Sequence, residues 1–468
     1  MESTLVFLLL GVVVSFIGWL FLALLFFFFG KRFFRTVVQR LFDLVFTRLL
    51  NDPFEENLME FWSAVKRTSV QNILEISLRA ETGKIIKRPL GSPKPFNHYD
   101  NLLFIPAQMV RIPVEPNVPI DTSVTLGPKA QKPLTLPIPL LIGGMGYGVA
   151  LSEEAKIALA KASKELGTAM SSGEGPFLPE ERKAAGKYIW QISRYNYGRD
   201  PQGIATADML EVQMGQGSRM GGHLINPVAI KGKAQKLMGI SPVTTLVGSA
   251  SFAEIKSPRD WPRYVKELRD LRADIPIGIK IMGGGRLEAD LAVALEAGFD
   301  VICISGAGGG TASSSPTICD DFGMPSINNL VRAQKYLQEQ GVRHEVSLIS
   351  AGGYATPGQC LKALALGADA IYLGTVPLFA LVHNQLGKVM PWEPLTQLVY
   401  YNSKYKSRLD INMASQNVVK VLTSFVLEME EGVRAMGKKS VKDLGPNDMV
   451  ALDDWTAEVT GVARAWRK

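Results

Sequence analysis

Lys280 sits in Ile277-Gly278-Ile279-Lys280-Ile281, a run otherwise made of Ile and Gly. An ammonium at an inward strand position is costly unless something pairs with it. Either it is a fixed cation that answers negative charge on a bound group, or it is a rim lysine with its head in water. Glu174 stands between Gly173 and Gly175; it could serve as a general base or orient an amine, and a solvated loop carboxylate is the alternative. Gln191 falls on a strand-like run, where it could hydrogen-bond the edge of a ring or be a buried structural amide. Arg219 lies in Gly215-Gln216-Gly217-Ser218-Arg219-Met220-Gly221-Gly222 and could clamp a substrate carboxylate; a surface arginine is the competing reading. His98, His223, His344 and His383 show no ligand spacing, so no metal is expected. Only His223 falls in a candidate site loop.

A second constellation lies in Val346 to Thr375. Val346–Ser350 reads as a strand, Ala351-Gly352-Gly353 as a tight turn, and Thr356-Pro357 as a helix start with Thr as N-cap and Pro in the first helical position. Gly367 ends that helix, and Ala370–Leu373 is a second buried strand that stops at Gly374-Thr375. Two glycine turns at the same end of neighbouring parallel strands present N–H groups that suit a phosphate. In a (β/α)8 barrel the phosphate site commonly follows strands seven and eight. The expected occupant is the phosphate of FMN, with Lys280 stabilising the charge that a flavin gains on reduction. The alternative is an αβ unit whose glycines only cap and turn.

The elements that must position these groups recur from Pro137 onward. Strands are predicted at Pro139–Ile142, Ala169–Ser171, Trp190–Ser193, Leu210–Met214, Ile277–Ile281 and Val301–Ile304, besides the two above. Helices are predicted from Ser152 to Leu166, and at Trp261–Arg272, Leu287–Ala297 and Asn328–Gln340. Eight strands with glycine concentrated after them favour an α/β fold, a closed (β/α)8 TIM barrel, over an open doubly wound sheet.

The 468 residues allow one large barrel with extensions. Thr4 to Gly30 carries no charge and is long enough to cross a bilayer, so an N-terminal transmembrane anchor is expected in preference to a cleaved signal peptide. Lys31, Arg32, Arg35, Arg40 and Arg48 follow, which places the barrel on the cytoplasmic side. Phe33 to Leu50 reads either as an amphipathic helix on the membrane surface or as a helix packed on the protein body. The expected division is an anchor over 1–30, a juxtamembrane helix and proline-rich wrapping segment without evident chemistry over 31–130, the barrel over 131–390, and a helical C-terminal extension over 391–468. A net charge of +7, without a dense basic stripe and stacking aromatics, argues against nucleic-acid binding. Three separated cysteines argue against a disulfide framework, a zinc site or an iron–sulfur cluster, and suit a reducing compartment.

From Pro137 to Phe379 the chain resembles the FMN-binding synthase domain of glutamate synthase, and more closely its membrane-anchored, stand-alone relatives. The resemblance is carried by Gly144-Met145-Gly146 with Leu151-Ser152-Glu153-Glu154-Ala155, Ser171 to Gly175, Gln191-Ile192, Gln213 to Gly217, Ile279-Lys280-Ile281, Ser305-Gly306 through Gly309-Gly310-Thr311, and Gly352-Gly353 with Gly374-Thr375. It implies a (β/α)8 barrel with FMN at the strand ends and amino transfer onto 2-oxoglutarate with reduction by the flavin. It further implies Gln191 and Lys280 at the flavin ring, Gly352, Gly353, Gly374 and Thr375 at its phosphate, and Glu174 near the substrate. Gly144, Met145, Gly309 and Gly310 complete the cofactor set, and Lys280, Glu174 and Arg219 the catalytic set.

The departures from that family have consequences. Leu378–Trp392 lacks the family's three cysteines, so no 3Fe–4S cluster is expected. Arg219 replaces a lysine in a shorter loop after the fourth strand, and Ala307-Gly308 replaces a His-Asp pair. No N-terminal glutaminase domain is expected. The expectation is therefore an FMN oxidoreductase acting on an amino or imino acid or 2-oxo acid, with an electron-donor protein left open. The competing expectation is a membrane-tethered barrel that holds a flavin or other phosphate ligand without redox turnover; a non-flavin barrel enzyme acting on a phosphorylated metabolite is the third.

Overall fold

The computed structural model describes residues 2–53, 56–57, 59–96, 99–220, 224–225, 230–241, 246–247, 249–312 and 314–466. Within these, the side chains of 2–14, 22–26, 31, 59–61, 224–225 and 246–247 lie outside the description, as does His223. Two compact units emerge, Met1–Ile86 and Lys87–Lys468.

The first unit contains the helices Glu2–Asn51, Met59–Thr68 and Val70–Thr82. The last begins where Ser69 Oγ accepts from the Asn72 N–H, and it ends at the left-handed Gly83. The expected membrane anchor is corrected here. Among the described residues, no helix is long and apolar enough to cross a membrane. Within the expected 4–30 span, the described side chains fall in 15–21 and 27–30. The rest of the span lies outside the described side chains. The cytoplasmic placement of the barrel, which depended on that anchor, is withdrawn with it.

The second unit is built on eight parallel strands: β1 Leu140–Ile142, β2 Ala169–Ser171, β3 Lys187–Ile192, β4 Met209–Gln213, β5 Ile277–Met282, β6 Val301–Ser305, β7 Ser347–Ala351 and β8 Ala370–Leu373. They pair in sequence order, and β8 returns to β1 through Ile371↔Leu140, Tyr372↔Leu141 and Leu373↔Ile142, closing the barrel. The eight strands fall where they were expected, within a few residues at their ends.

Inside the barrel, Leu141, Ile189, Met209, Val301, Ile349 and Ala370 pack in one buried cluster with Val124, Leu126, Leu134 and Leu136. The latter four belong to an antiparallel hairpin, Val124–Leu126 with Leu134–Leu136. Directly after its first strand, the Gly127 N–H donates to Ser347 Oγ at 3.0 Å, at the start of β7, and a Cβ on Gly127 would lie 2.5 Å from Pro276, just before β5. The hairpin therefore plugs the end opposite the strand C-termini and leaves the other mouth for ligands.

Local chemistry sets the helices. Ser152 Oγ accepts from the Ala155 N–H, with Glu153 and Glu154 in the first turn, to start Glu153–Glu165. Thr356 and Gln359 form a reciprocal capping box at the start of Pro357–Ala365. The long helix Ile411–Ala435 packs on Glu153–Glu165 and on Thr375–Val382, so the C-terminal region buttresses the β1 and β8 side of the barrel.

Candidate functional site

A cavity of about 340 Å³ opens at the C-terminal ends of the strands, a volume in the range of small-molecule sites. Of the sequence-predicted residues, Met145, Glu174, Gln191, Arg219, Lys280, Gly309, Gly310, Gly352, Gly353, Gly374 and Thr375 line it. Gly144 does not. A Cβ there would lie 2.8 Å from Ser171 Oγ and 3.2 Å from Gln191 Nε2, so this glycine lets the first loop pass beneath the cavity wall.

Lys280 is delivered by β5, whose flanks pair with β4 and β6. It is 4% exposed, and its Nζ stands 5.2 Å from the centroid of the Tyr372 ring. Among the described residues it forms no hydrogen bond or ion pair with a side chain. A buried ammonium whose described neighbour is a ring face fits an anionic or electron-rich ligand.

Gln191, on β3, donates from Nε2 to Glu211 Oε1 at 2.7 Å. Glu211 lies on β4 and is wholly buried. Because an amide nitrogen only donates, the contact fixes the amide and leaves Gln191 Oε1 as its remaining acceptor. Tyr372 also faces this group: burial, and then the Glu211 charge, push its phenol well above the ordinary range. Glu211 and Tyr372 were not singled out from the sequence, and Gln213 was given no role there. The reasoning applied to Lys280, a polar group on an otherwise apolar barrel strand, would have found all three.

Arg219 Nη2 lies 2.9 Å from Glu174 Oε2 at the cavity edge. The loop carrying Arg219 is fixed by Gly217 N–H donating to Ser305 Oγ at 3.0 Å and Ser218 Oγ donating to the Gly309 carbonyl at 2.7 Å. Tyr195 and Tyr197, stacked with centroids 5.0 Å apart, flank the pair. Burial, and then the Glu174 charge, push the Tyr195 phenol up to about 12. These tyrosines directly follow β3 and were missed; aromatic residues beside Arg194 in a post-strand loop were the available signal.

At the β7 and β8 ends, Gly352 and Gly353 adopt φ of 104° and 89°, which favours glycine at both positions. Gly374 caps the helix Thr375–Val382 and brings no side chain to it. The first-turn N–H groups of such a helix suit an anion. A Cβ on Gly374 would meet nothing within 4 Å, so room is available at this terminus. The residues present therefore fit the phosphate end and the ring end of a flavin nucleotide.

One wall comes from a segment in which no chemistry was expected. Leu90 and Ser92 line the cavity. Their strap is held by Arg88 N–H donating to the Ser314 carbonyl at 2.7 Å, Leu90 N–H donating to the Thr311 carbonyl at 3.0 Å, and an Arg88–Asp320 ion pair. Leu90 has φ of 67°, unusual for a branched residue.

Comparison with known proteins identifies the family. The family model described as the conserved region in glutamate synthase matches residues 91–439. This chain belongs to the glutamate synthase family. The glutamate synthase large subunit-like protein of Rhizobium meliloti is 31% identical over 412 residues, which is 84% of this chain and 92% of that protein. The archaeal glutamate synthase (NADPH) of Archaeoglobus fulgidus is 27% identical over 428 residues, 84% of this chain and 83% of that one. Among solved structures, a flavocytochrome b2 mutant with pyruvate bound matches with a TM-score of 0.51 at 16% identity, over 81% of this chain and 83% of that chain. This last likeness concerns the barrel fold alone.

Proposed function

We propose that this glutamate synthase family member is an FMN-dependent oxidoreductase acting on an amino or imino acid or the related 2-oxo acid. The observation that carries the reading is the buried Lys280 ammonium, open to a cavity that the glycine turns after β7 and β8 also line. Gly352, Gly353, Gly374 and Thr375 would hold the phosphate. Gln191 and Lys280 would face the ring, with Met145, Gly309 and Gly310 as walls. When bound, the flavin supplies two-electron redox chemistry.

The chain's own groups then divide the remaining work. Lys280 offers a fixed positive charge that need not reorganise when negative charge develops beside it. Arg219 offers paired donors to a substrate carboxylate. Glu174, once its Arg219 contact is exchanged for that carboxylate, can take a proton from the substrate amine through an oxygen otherwise held 2.9 Å from the guanidinium. Tyr195 and Tyr197, both buried, lie near the Glu174–Arg219 pair and lower the water content around it.

Titration of the purified protein with FMN, followed by anaerobic bleaching of the bound flavin with candidate amino acids, tests the reading. Saturable FMN binding that Lys280→Ala weakens, with bleaching by at least one acid, is the expected result. No flavin binding, or equal binding by Lys280→Ala, would overturn it. The second reading is a barrel that binds a flavin without turnover; the Glu174–Arg219 contact, which occupies both candidate substrate groups, is the observation on its side. Bound flavin that no donor or amino acid reduces would decide for it.

A further inference from the structure

Lys156 is among the largest fully buried side chains of the chain, and the site as described gives it no role. It rises from the first turns of the helix Glu153–Glu165. Its Nζ donates to the Met145 carbonyl at 2.8 Å and to the Ser172 carbonyl at 2.8 Å. Glu181 Oε1 stands 3.0 Å away. An ammonium has three N–H donors, and here it meets three acceptors. Two are main-chain oxygens of different loops: Met145 follows β1, and Ser172 follows β2. Glu181 belongs to the short helix Pro179–Ala184.

The two loops touch without side chains between them. A Cβ on Gly146 would lie 2.1 Å from the Glu174 carbonyl oxygen, one on Gly173 2.3 Å from the Met145 nitrogen, and one on Gly175 2.6 Å from the Tyr147 nitrogen. Yet among the described residues no backbone hydrogen bond joins residues 143–148 to residues 172–175. Interlocked backbones lacking a ladder of their own need another polar link, and Lys156 supplies it from below.

Stability alone does not account for this arrangement. A buried ion pair often contributes no more than well-packed apolar side chains of the same volume, because both charges must leave water. Burial accordingly pulls the Lys156 ammonium down and pushes the Glu181 carboxyl up to about 7. Both tethered loops carry cavity residues, Met145 on one and Glu174 on the other.

We infer that Lys156 is a positioning residue: its ammonium staples the loops after β1 and β2 together, fixing the Met145 wall and the Glu174 carboxylate relative to each other. The consequence for cofactor binding rests on the FMN reading above; the stapling itself does not.

The test separates the staple from the fold. Lys156→Met leaves Glu181 buried without its cation and should lower the melting temperature. Lys156→Met combined with Glu181→Leu removes both charges and should recover most of that loss, while the Met145 and Ser172 carbonyls remain untethered. In this double variant we expect FMN to bind about 10-fold more weakly or worse, because two charge-assisted contacts to the loops are gone. Amide exchange at Gly146, Tyr147, Gly173 and Glu174 should accelerate, while β1 and β2 stay protected. Glu181→Gln, which keeps both carbonyl contacts, should bind FMN within a few-fold of the wild type despite lower stability.

A double variant with wild-type loop exchange overturns the inference, as does equal loss of FMN binding in Glu181→Gln and Lys156→Met at matched stability. Should the double variant not fold, that comparison of the two single variants decides alone. Failure of the wild type to bind FMN would end the flavin reading while the exchange measurement still judges the staple.

Discussion

Arg219 Nη2 and Glu174 Oε2 are 2.9 Å apart, with both side chains largely shielded from solvent. An acid entering this corner must take the guanidinium from an internal carboxylate. Arg219→Ala should therefore raise the concentration of acid needed for half-maximal flavin bleaching by about 10- to 100-fold, the equivalent of a lost charge-assisted contact. Glu174→Gln removes the internal competitor. It should leave that concentration unchanged or lower it, while the bleaching rate falls by about 100-fold as the proton acceptor is lost. A parallel weakening of acid binding in both variants would contradict these roles.

Lys280 and Tyr372 make the second contact of consequence, with Nζ 5.2 Å from the ring centroid. Lys280→Met should weaken FMN binding by about 10-fold or more and lower the reduction potential of the bound flavin, since a fixed cation stabilises the reduced form more than the oxidised one. Tyr372→Phe retains the ring face and should leave the potential close to that of the wild type. Spectroelectrochemical titration of the three proteins checks both statements; an unchanged potential in Lys280→Met would remove the lysine from the ring.

The barrel was legible because each strand is a short buried run ended by glycine, and because eight such runs recur between helices. Lys280 was legible for the opposite reason: a charge on an apolar strand demands a partner. Glu211 obeys the same logic but was passed over within Leu210–Met214, where the run as a whole reads as a strand. In the sequence, the glycines of 143–148 and 173–175 stand out only as glycine concentrated after strands. Their actual constraint is the close approach of one loop to the other, which no local pattern reveals. The Leu90 wall was illegible because Arg88 pairs with Ser314, more than two hundred positions away, and a contact at that separation leaves no periodicity in the chain.

That strap gives a third prediction. Arg88 donates from Nε to the Gly91 carbonyl at 3.1 Å and pairs with Asp320, both side chains being mostly buried. Arg88→Ala should release Leu90 and Ser92 from the cavity edge. FMN dissociation should accelerate by about 10-fold, in keeping with affinity changes that fall mainly on the off-rate, and the melting temperature should fall as well, because Asp320 is left mostly buried without its cation. Stopped-flow displacement of FMN measures it, and an unchanged off-rate would show that the strap is only a border.

The link between the segment before the barrel and the C-terminal extension should respond to acid. Asp121 is held down to about 2, first by the Ser123 hydroxyl and then by Lys442. Its folded value is depressed, so its contribution is present above the unfolded value near 4 and disappears as pH falls from there through about 2. The pair is half exposed, so that contribution is about 0–1 kcal/mol. Asp121→Asn should lower the melting temperature slightly at pH 7, and the difference should shrink as pH falls from about 4 towards 2. A difference that does not shrink over that range would place the effect in packing and not in charge.

Gly352 and Gly374 should fail in different ways when each is given one methyl group. At Gly352 the backbone has φ of 104°, and a Cβ would lie 2.8 Å from both the nitrogen and the oxygen of Gly306. Gly352→Ala must move the β7 turn against the loop after β6, with backbone strain of about 1–3 kcal/mol before the clash is counted. Its melting temperature should drop by several degrees even without ligand. At Gly374, φ is −111° and a Cβ would meet nothing within 4 Å. Gly374→Ala should therefore keep the stability of the ligand-free protein, yet place its methyl at the helix terminus proposed for the phosphate and weaken FMN by about 10-fold or more, roughly the value of one charge-assisted contact. Thermal melts without ligand and FMN titrations of the same samples separate the two effects. If Gly374→Ala binds FMN as tightly as the wild type, the phosphate does not sit at the start of Thr375–Val382.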